Sequence, residues 1–342
     1  MPTALSEPNP ILVEVTRGAL VESQHRGAVA VARAGDELVM SAGDVRKPVF
    51  ARSGIKLVQA LPLVESGAIA RFGMGPAEIA LACGSHVGSP RHVAVARGML
   101  DRLGLSEGCL VCGPAEPHGS KAARILAESG GKPTTLHHTC SGKHLGFLAA
   151  ARALGAPAEG YGEPSHPVQK SVAAALSELT GREFPAAMCG TDGCAVPTYA
   201  LPLDDLARMF ARIADPHSLP PGRREAIATI LDACWKEPEL VAGPGRADTV
   251  VMAALPGRIY LKTGAEGVYC GALPGKGVGF ALKIDDGALR ASAAAVMPLV
   301  ERLLPDARGL VKRGVLRTPS GREVGAIRSS ACYEQMLEAL AV

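Results

Sequence analysis

Hydrophobic residues at the two ends of the chain fall in short runs that are typical of β-strands. Residues 11–15 read Ile-Leu-Val-Glu-Val, and residues 28–32 and 38–40 predict a hairpin. Comparable runs return at residues 258–262, 268–270 and 278–283. Because strand patterns occur at both ends, we predict that the terminal strands pair in one antiparallel sheet.

Between these ends, hydrophobic positions recur with the spacing of helices that bury one face. The pattern predicts helices at residues 53–65, 77–83, 91–103, 120–128, 142–154, 167–179, 204–213 and 223–235, with a later one at 293–304. The predicted fold class is therefore α+β, in which residues 1–50 and 251–342 form a sheet domain. Residues 51–250, where no strong strand pattern occurs, form an inserted helical subdomain.

Composition and charge narrow the range of partners. The chain has 342 residues, 47% of them hydrophobic, which is enough for a large buried core. The formal net charge is only +3 and the 36 basic residues are scattered, so we expect no nucleic-acid partner. No run of 18 apolar residues and no export signal is present, so we expect no membrane partner. The nine cysteines are an odd number, which fits a reducing cytoplasm better than a disulfide framework.

Candidate chemistry appears first at Ser53 and Lys56, three residues apart at the start of a predicted helix. On a helix this spacing places the hydroxyl and the amine on one face, within reach for proton transfer. A helix-capping serine followed by a solvated lysine would give the same pattern. The rest of the chain favours chemistry, because Ser85 follows Gly84 in a predicted loop and a Lys-Thr-Gly triplet begins at Lys262. Serine β-lactamases and penicillin-binding proteins carry such a set.

These positions belong to a larger group of short segments. They are Arg17-Gly18 with Val21-Glu22-Ser23-Gln24-His25-Arg26, Ala51-Arg52-Ser53 with Lys56, Ser85-His86 with Arg91-His92, Cys140-Ser141-Gly142-Lys143-His144, Gly190-Thr191-Asp192-Gly193-Cys194 with Pro197, Val241-Ala242-Gly243 with Gly245-Arg246, and Lys262 with Gly264-Ala265. Over roughly residues 11–300 the chain resembles the class 3 L-asparaginases, the asparaginase II family of the inducible, thermolabile rhizobial type. The resemblance implies a serine β-lactamase-like fold, a homodimer, and hydrolysis of the small molecule L-asparagine to L-aspartate and ammonia.

The resemblance also implies roles for individual residues. Ser53 would be the nucleophile that forms an acyl-enzyme, with Lys56 as its base, and Ser85 with Lys262 would relay the proton to departing ammonia. By analogy with the lactamase strand, the backbone N–H groups of Ser53 and Ala265 would form the oxyanion hole. A lysine acts as a base only when its pKa is lowered, and two converging amines would lower each other's pKa. The candidate substrate-binding residues are Arg52, His144, Asp192, Arg246, Thr263 and Gly264.

A candidate metal site lies in the segments around Cys140 and Cys194. Two cysteines and His144 would ordinarily indicate a Cys/Cys/His zinc site. The resemblance implies a different set, in which Cys140, Lys143 and Cys194 bind zinc and Asp192 acts through a bound water. Two small buried cysteines that bind no metal would give the same sequence pattern. Zinc is the predicted cofactor, and it would orient substrate and loops rather than activate water.

Three functions remain open from the sequence. The first is the asparaginase, together with a glutaminase variant, since one methylene separates the two substrates. The second is a penicillin-recognising serine hydrolase, which the apparent lack of an export signal disfavours. The third is a non-catalytic zinc-binding homologue, which would leave the four serine and lysine positions without a purpose.

Overall fold

The computed structural model describes residues 8–312 and 314–341. Its strands are β1 (Ile11–Arg17), β2 (Leu20–Arg33), β3 (Leu38–Ala42), β4 (Pro48–Phe50), β5 (Cys189–Thr191), β6 (Pro197–Pro202), β7 (Tyr260–Thr263), β8 (Val268–Leu273), β9 (Val278–Ile284), β10 (Gly314–Arg317) and β11 (Glu323–Ser329). Its α-helices are α1 (Lys56–Glu65), α2 (Ala68–Arg71), α3 (Pro76–Ala82), α4 (Pro90–Leu103), α5 (Ser120–Glu128), α6 (Ser141–Ala153), α7 (Pro167–Thr180), α8 (Leu203–Ala214), α9 (Pro221–Lys236), α10 (Pro238–Val241), α11 (Ala247–Ala254), α12 (Leu289–Leu303) and α13 (Ala331–Glu338).

The chain separates into two compact units. The sheet unit contains residues 8–49, Leu201–Asp215 and 263–341, and the helical unit contains Phe50–Ala200 and Pro216–Lys262. Among the described residues, no helix is both long enough and apolar enough to cross a membrane. The domain boundaries predicted at residues 50 and 250 stay a prediction, because compactness alone does not show which part folds independently.

The sheet unit confirms the α+β class and the predicted pairing of the two chain ends. Its antiparallel strands follow the order β10-β11-β1-β2-β9-β8, so N-terminal strands lie between C-terminal ones. The long strand β2 pairs with β9 from Gly27↔Ile284 to Arg33↔Val278, and it also pairs with β3 in the predicted hairpin. Helix α8 packs on β2, β8 and β9. Its backbone approaches Gly279 so closely that a Cβ there would lie 2.0 Å from the nitrogen of Ala211.

Helix α6 is the central element of the helical unit. Residues 141–151 of this helix are all buried, against neighbours that include α1, α3, α4 and α7. The start of α6 lies against the end of α3, because Gly142 has no side chain: a Cβ there would lie 2.3 Å from the Leu81 carbonyl oxygen. This close approach places Cys140, at the start of α6, beside the loop that carries Ser85.

Three local predictions differ from the structure. Ser53 lies in a 3-10 turn over Arg52–Ile55, and α1 begins only at Lys56, so the two residues do not share one α-helix as predicted. The hairpin β5–β6 interrupts the segment that was expected to contain no strong strand. The β10–β11 hairpin and α13 were not predicted, because β10 is mostly exposed and carries no alternating apolar pattern.

Candidate active site

Ser53 occupies a sharp turn between β4 and α1. The preceding residue, Arg52, has φ +49°, in the left-handed region that a residue with a side chain rarely adopts. Backbone hydrogen bonds hold the turn, from Ala51 N–H to the Tyr199 carbonyl (3.1 Å) and from Gly54 N–H to the Ala51 carbonyl (3.0 Å). The half-buried Ser53 hydroxyl makes no hydrogen bond with any residue that the structure describes. The turn therefore presents an uncommitted hydroxyl.

Lys56 is wholly buried but does not contact this hydroxyl. Its ammonium donates to the Gly84 carbonyl and, over 3.3 Å, to the Cys140 sulfur. A buried cation needs such partners, because an unpaired charge in the interior costs several kcal/mol. The proposed role of Lys56 as base to Ser53 stays a prediction, since proton transfer would require the amine to turn away from these partners.

Lys262 makes the direct serine–lysine contact of the site. Its Nζ lies 2.9 Å from the Ser85 hydroxyl oxygen, and the side chain is wholly buried at the end of β7. Burial, with a smaller contribution from the charges of Lys56 and Arg246, lowers the pKa of this amine to about 7, although the Asp248 carboxylate acts in the opposite direction. About half of the amine is thus neutral near pH 7, the state in which it accepts a proton.

A chain of thiols and amines lies beside Lys56. The Cys194 thiol hydrogen-bonds to Cys140, and this bond lowers the pKa of the Cys140 thiol well below its usual range despite burial. Lys143 Nζ lies 2.9 Å from the Cys194 sulfur. Burial by itself would lower the pKa of Lys143, but the adjacent sulfur charge outweighs burial and raises it. The Cys140 sulfur therefore lies near two lysine amines, Lys56 and Lys143, that also favour its charged form.

These donors fit a zinc ion. Two sulfurs and one amine nitrogen already converge, and soft thiolates are the ligands that zinc prefers. Among residues 8–312 and 314–341, no three His, Cys, Asp or Glu side chains converge to hold a metal. The choice between Lys143 and His144 as the third ligand stays a prediction. The raised pKa of Lys143 opposes metal binding, because the amine must release its proton before it can bind the ion.

The polar residues predicted to bind substrate lie in different local environments. Arg52 forms an ion pair with Asp192, with 3.1 Å between guanidinium nitrogen and carboxylate oxygen, and both side chains remain partly exposed. His144 is wholly buried; its Nδ1 lies 2.6 Å from the Tyr161 hydroxyl, and its Nε2 has no hydrogen-bond partner in the part of the chain that the structure describes. Arg246 is half-buried at the start of α11. Asp192 thus contacts Arg52, and its predicted water-mediated role at zinc stays a prediction.

Thr263, Gly264 and Ala265 belong to the sheet unit, whereas the other candidates belong to the helical unit. Gly264 N–H donates to the Val268 carbonyl (2.8 Å), which closes the turn between β7 and β8. Thr263 and Gly264 are buried and Ala265 is half-buried. The roles predicted for them in substrate binding and in the oxyanion hole stay predictions.

Sequence reasoning gave no role to three residues that shape this site. Tyr161 holds His144, Asp248 acts electrostatically on Lys262, and His86 joins the Ser85 loop to α6 through Ser141. Tyr161 and Asp248 lie outside every motif. His86 is the neighbour of Ser85 in the sequence, and that adjacency could have indicated that it belongs to the site.

A serine hydroxyl beside a buried amine, as found at Ser85 and Lys262, suits acyl transfer, the chemistry of serine hydrolases. Residues 13–328 match the family described as L-asparaginase II, which extends beyond the predicted limit near residue 300. The chain belongs to the L-asparaginase II family, and it is an amide hydrolase with a small-molecule substrate. No curated protein sequence matches it.

Several solved structures have a similar chain path at low sequence identity. A protein named Mglu, in its native form, is 16% identical, with a TM-score of 0.45 over 86% of this chain and 68% of that one. A β-lactamase from Burkholderia ambifaria is 14% identical, with a TM-score of 0.36 over 80% of this chain and 91% of that one. A β-lactamase from Desulfarculus baarsii is 17% identical, with a TM-score of 0.34 over 80% and 90%. Similarity at this level does not define an activity.

Proposed function

We propose that this chain is an L-asparaginase that releases ammonia from L-asparagine and yields L-aspartate. The observation that carries the proposal is the 2.9 Å contact between Lys262 Nζ and the Ser85 hydroxyl, made by a wholly buried amine. A lysine of pKa about 7 beside a hydroxyl can take up and return a proton at neutral pH. Family membership supports the amide substrate.

The proposed reaction has two stages. The Ser53 oxygen attacks the side-chain carboxamide carbon, its proton passes to Lys56, and an ester forms as the carbon–nitrogen bond breaks. Ser85 and the neutral amine of Lys262 relay that proton to the leaving nitrogen, so that ammonia departs. Water then attacks the ester, the Ser53 oxygen regains its proton, and aspartate leaves. The N–H groups of Ser53 and Ala265 would stabilise the oxyanion of each stage.

The charged pair of Arg52 and Asp192 supports an amino-acid substrate. An amino acid carries one carboxylate and one ammonium, so a cation and an anion close together can bind both groups. The guanidinium–carboxylate separation of 3.1 Å places opposite charges side by side with partial exposure. Arg246, His144, Thr263 and Gly264 are proposed to complete the pocket.

We further propose that Cys140, Lys143 and Cys194 bind zinc. The ion would orient substrate and neighbouring loops, while the nucleophile remains a serine. Metal analysis of the purified protein after dialysis against a chelator should show one tightly held zinc, and Cys194→Ala should lose it. Full zinc retention by that variant would exclude this ligand set; Cys189→Ala, in the same hairpin, is the matched control.

The resemblance also implies a homodimer, and light scattering of the purified protein should show one.

The activity test compares substrates in an ammonia-coupled assay. L-Asparagine should be hydrolysed faster than D-asparagine and L-glutamine, and a chromogenic cephalosporin should not acylate the protein. Faster hydrolysis of L-glutamine would assign the protein as a glutaminase instead of an asparaginase. Turnover of the cephalosporin would assign it as a penicillin-recognising enzyme. If no amide is hydrolysed, the remaining one of the three functions is that of a non-catalytic zinc-binding homologue.

A further inference from the structure

His86 follows Ser85 directly and is wholly buried. Its Nδ1 accepts a hydrogen bond from the Gly88 N–H (3.2 Å), within the same loop. Its Nε2 lies 2.9 Å from the hydroxyl oxygen of Ser141, the first residue of α6. The ring therefore connects the loop that carries Ser85 to the helix that carries the proposed metal donors.

One protonation state of His86 satisfies every contact. The Ser141 hydroxyl donates its hydrogen to the Leu136 carbonyl (3.0 Å), so it accepts from His86 Nε2–H. Nδ1 is then the acceptor that the Gly88 N–H requires. The imidazole is neutral with both nitrogens engaged, which leaves it no free position for acid–base chemistry.

The imidazole ring of His86 is also held by stacking, and the backbone of its loop is held by hydrogen bonds. His86 stacks on His92, with 4.8 Å between ring centroids and 14° between planes. The N–H groups of Ser85 and His86 donate to the Val241 carbonyl (2.7 Å) and the Thr139 carbonyl (3.1 Å). These two bonds attach the loop on one side to the end of α10 and on the other to the segment before α6.

We propose that His86 is a positioning residue, which holds Ser85 at hydrogen-bond distance from Lys262 through its bond to Ser141. The inference rests on the proposed function, in which the Ser85–Lys262 pair moves a proton. A displacement of about 1 Å at a proton-transfer pair can lower a rate about 100-fold. Loss of the imidazole should therefore lower kcat while leaving substrate affinity, and hence KM, nearly unchanged.

The test compares His86→Phe with His86→Gln, whose side-chain amide can still donate to Ser141. His86→Phe should lower kcat about 10- to 100-fold with little change in KM, and His86→Gln should recover most of that loss. Ser141→Ala, a smaller change that keeps the helix, should lower kcat in the same direction. Equal rates for His86→Phe and the unaltered protein, or no recovery in His86→Gln, would overturn the inference.

His166 supplies a matched control in the helical unit. It is buried, its Nδ1 accepts from the N–H two residues further on (3.2 Å), and its Nε2 lies 3.0 Å from the Pro157 carbonyl. His166→Phe should lower the melting temperature as His86→Phe does but leave kcat unchanged. Parallel losses of kcat in both variants would show a general structural effect instead.

A crystal structure of Ser141→Ala or His86→Phe tests the inference without any substrate. The distance between Lys262 Nζ and the Ser85 oxygen should exceed 3.5 Å, the usual limit of a hydrogen bond, and an unchanged 2.9 Å would refute the positioning role. Ser85→Ala separates the two proposals. Full activity in that variant would remove the proposed function of the pair, while the distance still decides the role of His86.

Discussion

Lys56 and Lys262 are both wholly buried lysines near a serine, yet their neighbours give them different properties. Lys56 donates to the Gly84 carbonyl and to the Cys140 sulfur. Lys262 lies against the neutral Ser85 hydroxyl, and burial lowers its pKa to about 7. The direct contact of a buried amine with a serine hydroxyl is therefore seen at Lys262, whereas Lys56 would have to turn away from its present partners before it could take a proton from Ser53.

Replacing each serine should give the largest effects and should show which hydroxyl attacks. Ser53→Ala should lower kcat about 10⁴-fold or more, because the acyl-enzyme no longer forms. Ser85→Ala should lower it about 10²- to 10⁴-fold, the contribution typical of proton transfer. Ammonia release measures both rates, and circular dichroism checks the fold. A diazoketone analogue of asparagine should label Ser53, and labelling of Ser85 instead would assign attack to the pair with the direct lysine contact.

The second prediction concerns the titration of Lys262. Because its neutral amine accepts the proton, kcat/KM should rise as pH increases through about 7 and level off above it. Lys262→Met should lower kcat about 10²- to 10⁴-fold and abolish that rise. Stability should also rise with pH from about 7 towards 10, because the unfolded chain binds a proton there that the folded chain does not. A pH profile unchanged in Lys262→Met would assign the titration to another group.

The third prediction concerns Lys56 as a buried hydrogen-bond donor. Lys56→Met leaves the Cys140 thiolate and the Gly84 carbonyl without their shared donor, and breaking a buried pair in this way costs about 3 to 5 kcal/mol. Urea denaturation of the metal-free protein should show a loss of this order. Lys262→Met should cost less, because it removes a charge that burial already disfavours. Equal losses in the two variants would contradict the contrast between these lysines.

Sequence reasoning predicted the fold better than it predicted the contacts of the site. Strands β1, β2, β3, β8 and β9 were predictable because their apolar runs are local features, and their position at both chain ends indicated a shared sheet. The three-residue strand β5 was missed, since it has glycine at its centre and too few residues for an alternating pattern.

The site depends on contacts that local spacing does not encode. The Lys262–Ser85 bond joins residues 177 positions apart, and the bond from Lys56 to Cys140 spans 84. The resemblance supplied the first pairing. Nothing in the sequence predicted the second, because it depends on the packing of α3 against α6 at Gly142.

The smallest predicted effect concerns how each serine is held. The Ser85 loop is held by hydrogen bonds, whereas the Ser53 turn requires Arg52 at φ +49°, a conformation that costs a residue with a Cβ about 1 to 2 kcal/mol. Arg52→Ala and Arg52→Gly both lose the partly exposed ion pair with Asp192, which contributes at most about 1 kcal/mol. Only the glycine variant also loses the strain. Urea denaturation should therefore find Arg52→Gly more stable than Arg52→Ala by about 1 kcal/mol, and equal stabilities would mean that the turn around Ser53 is unstrained.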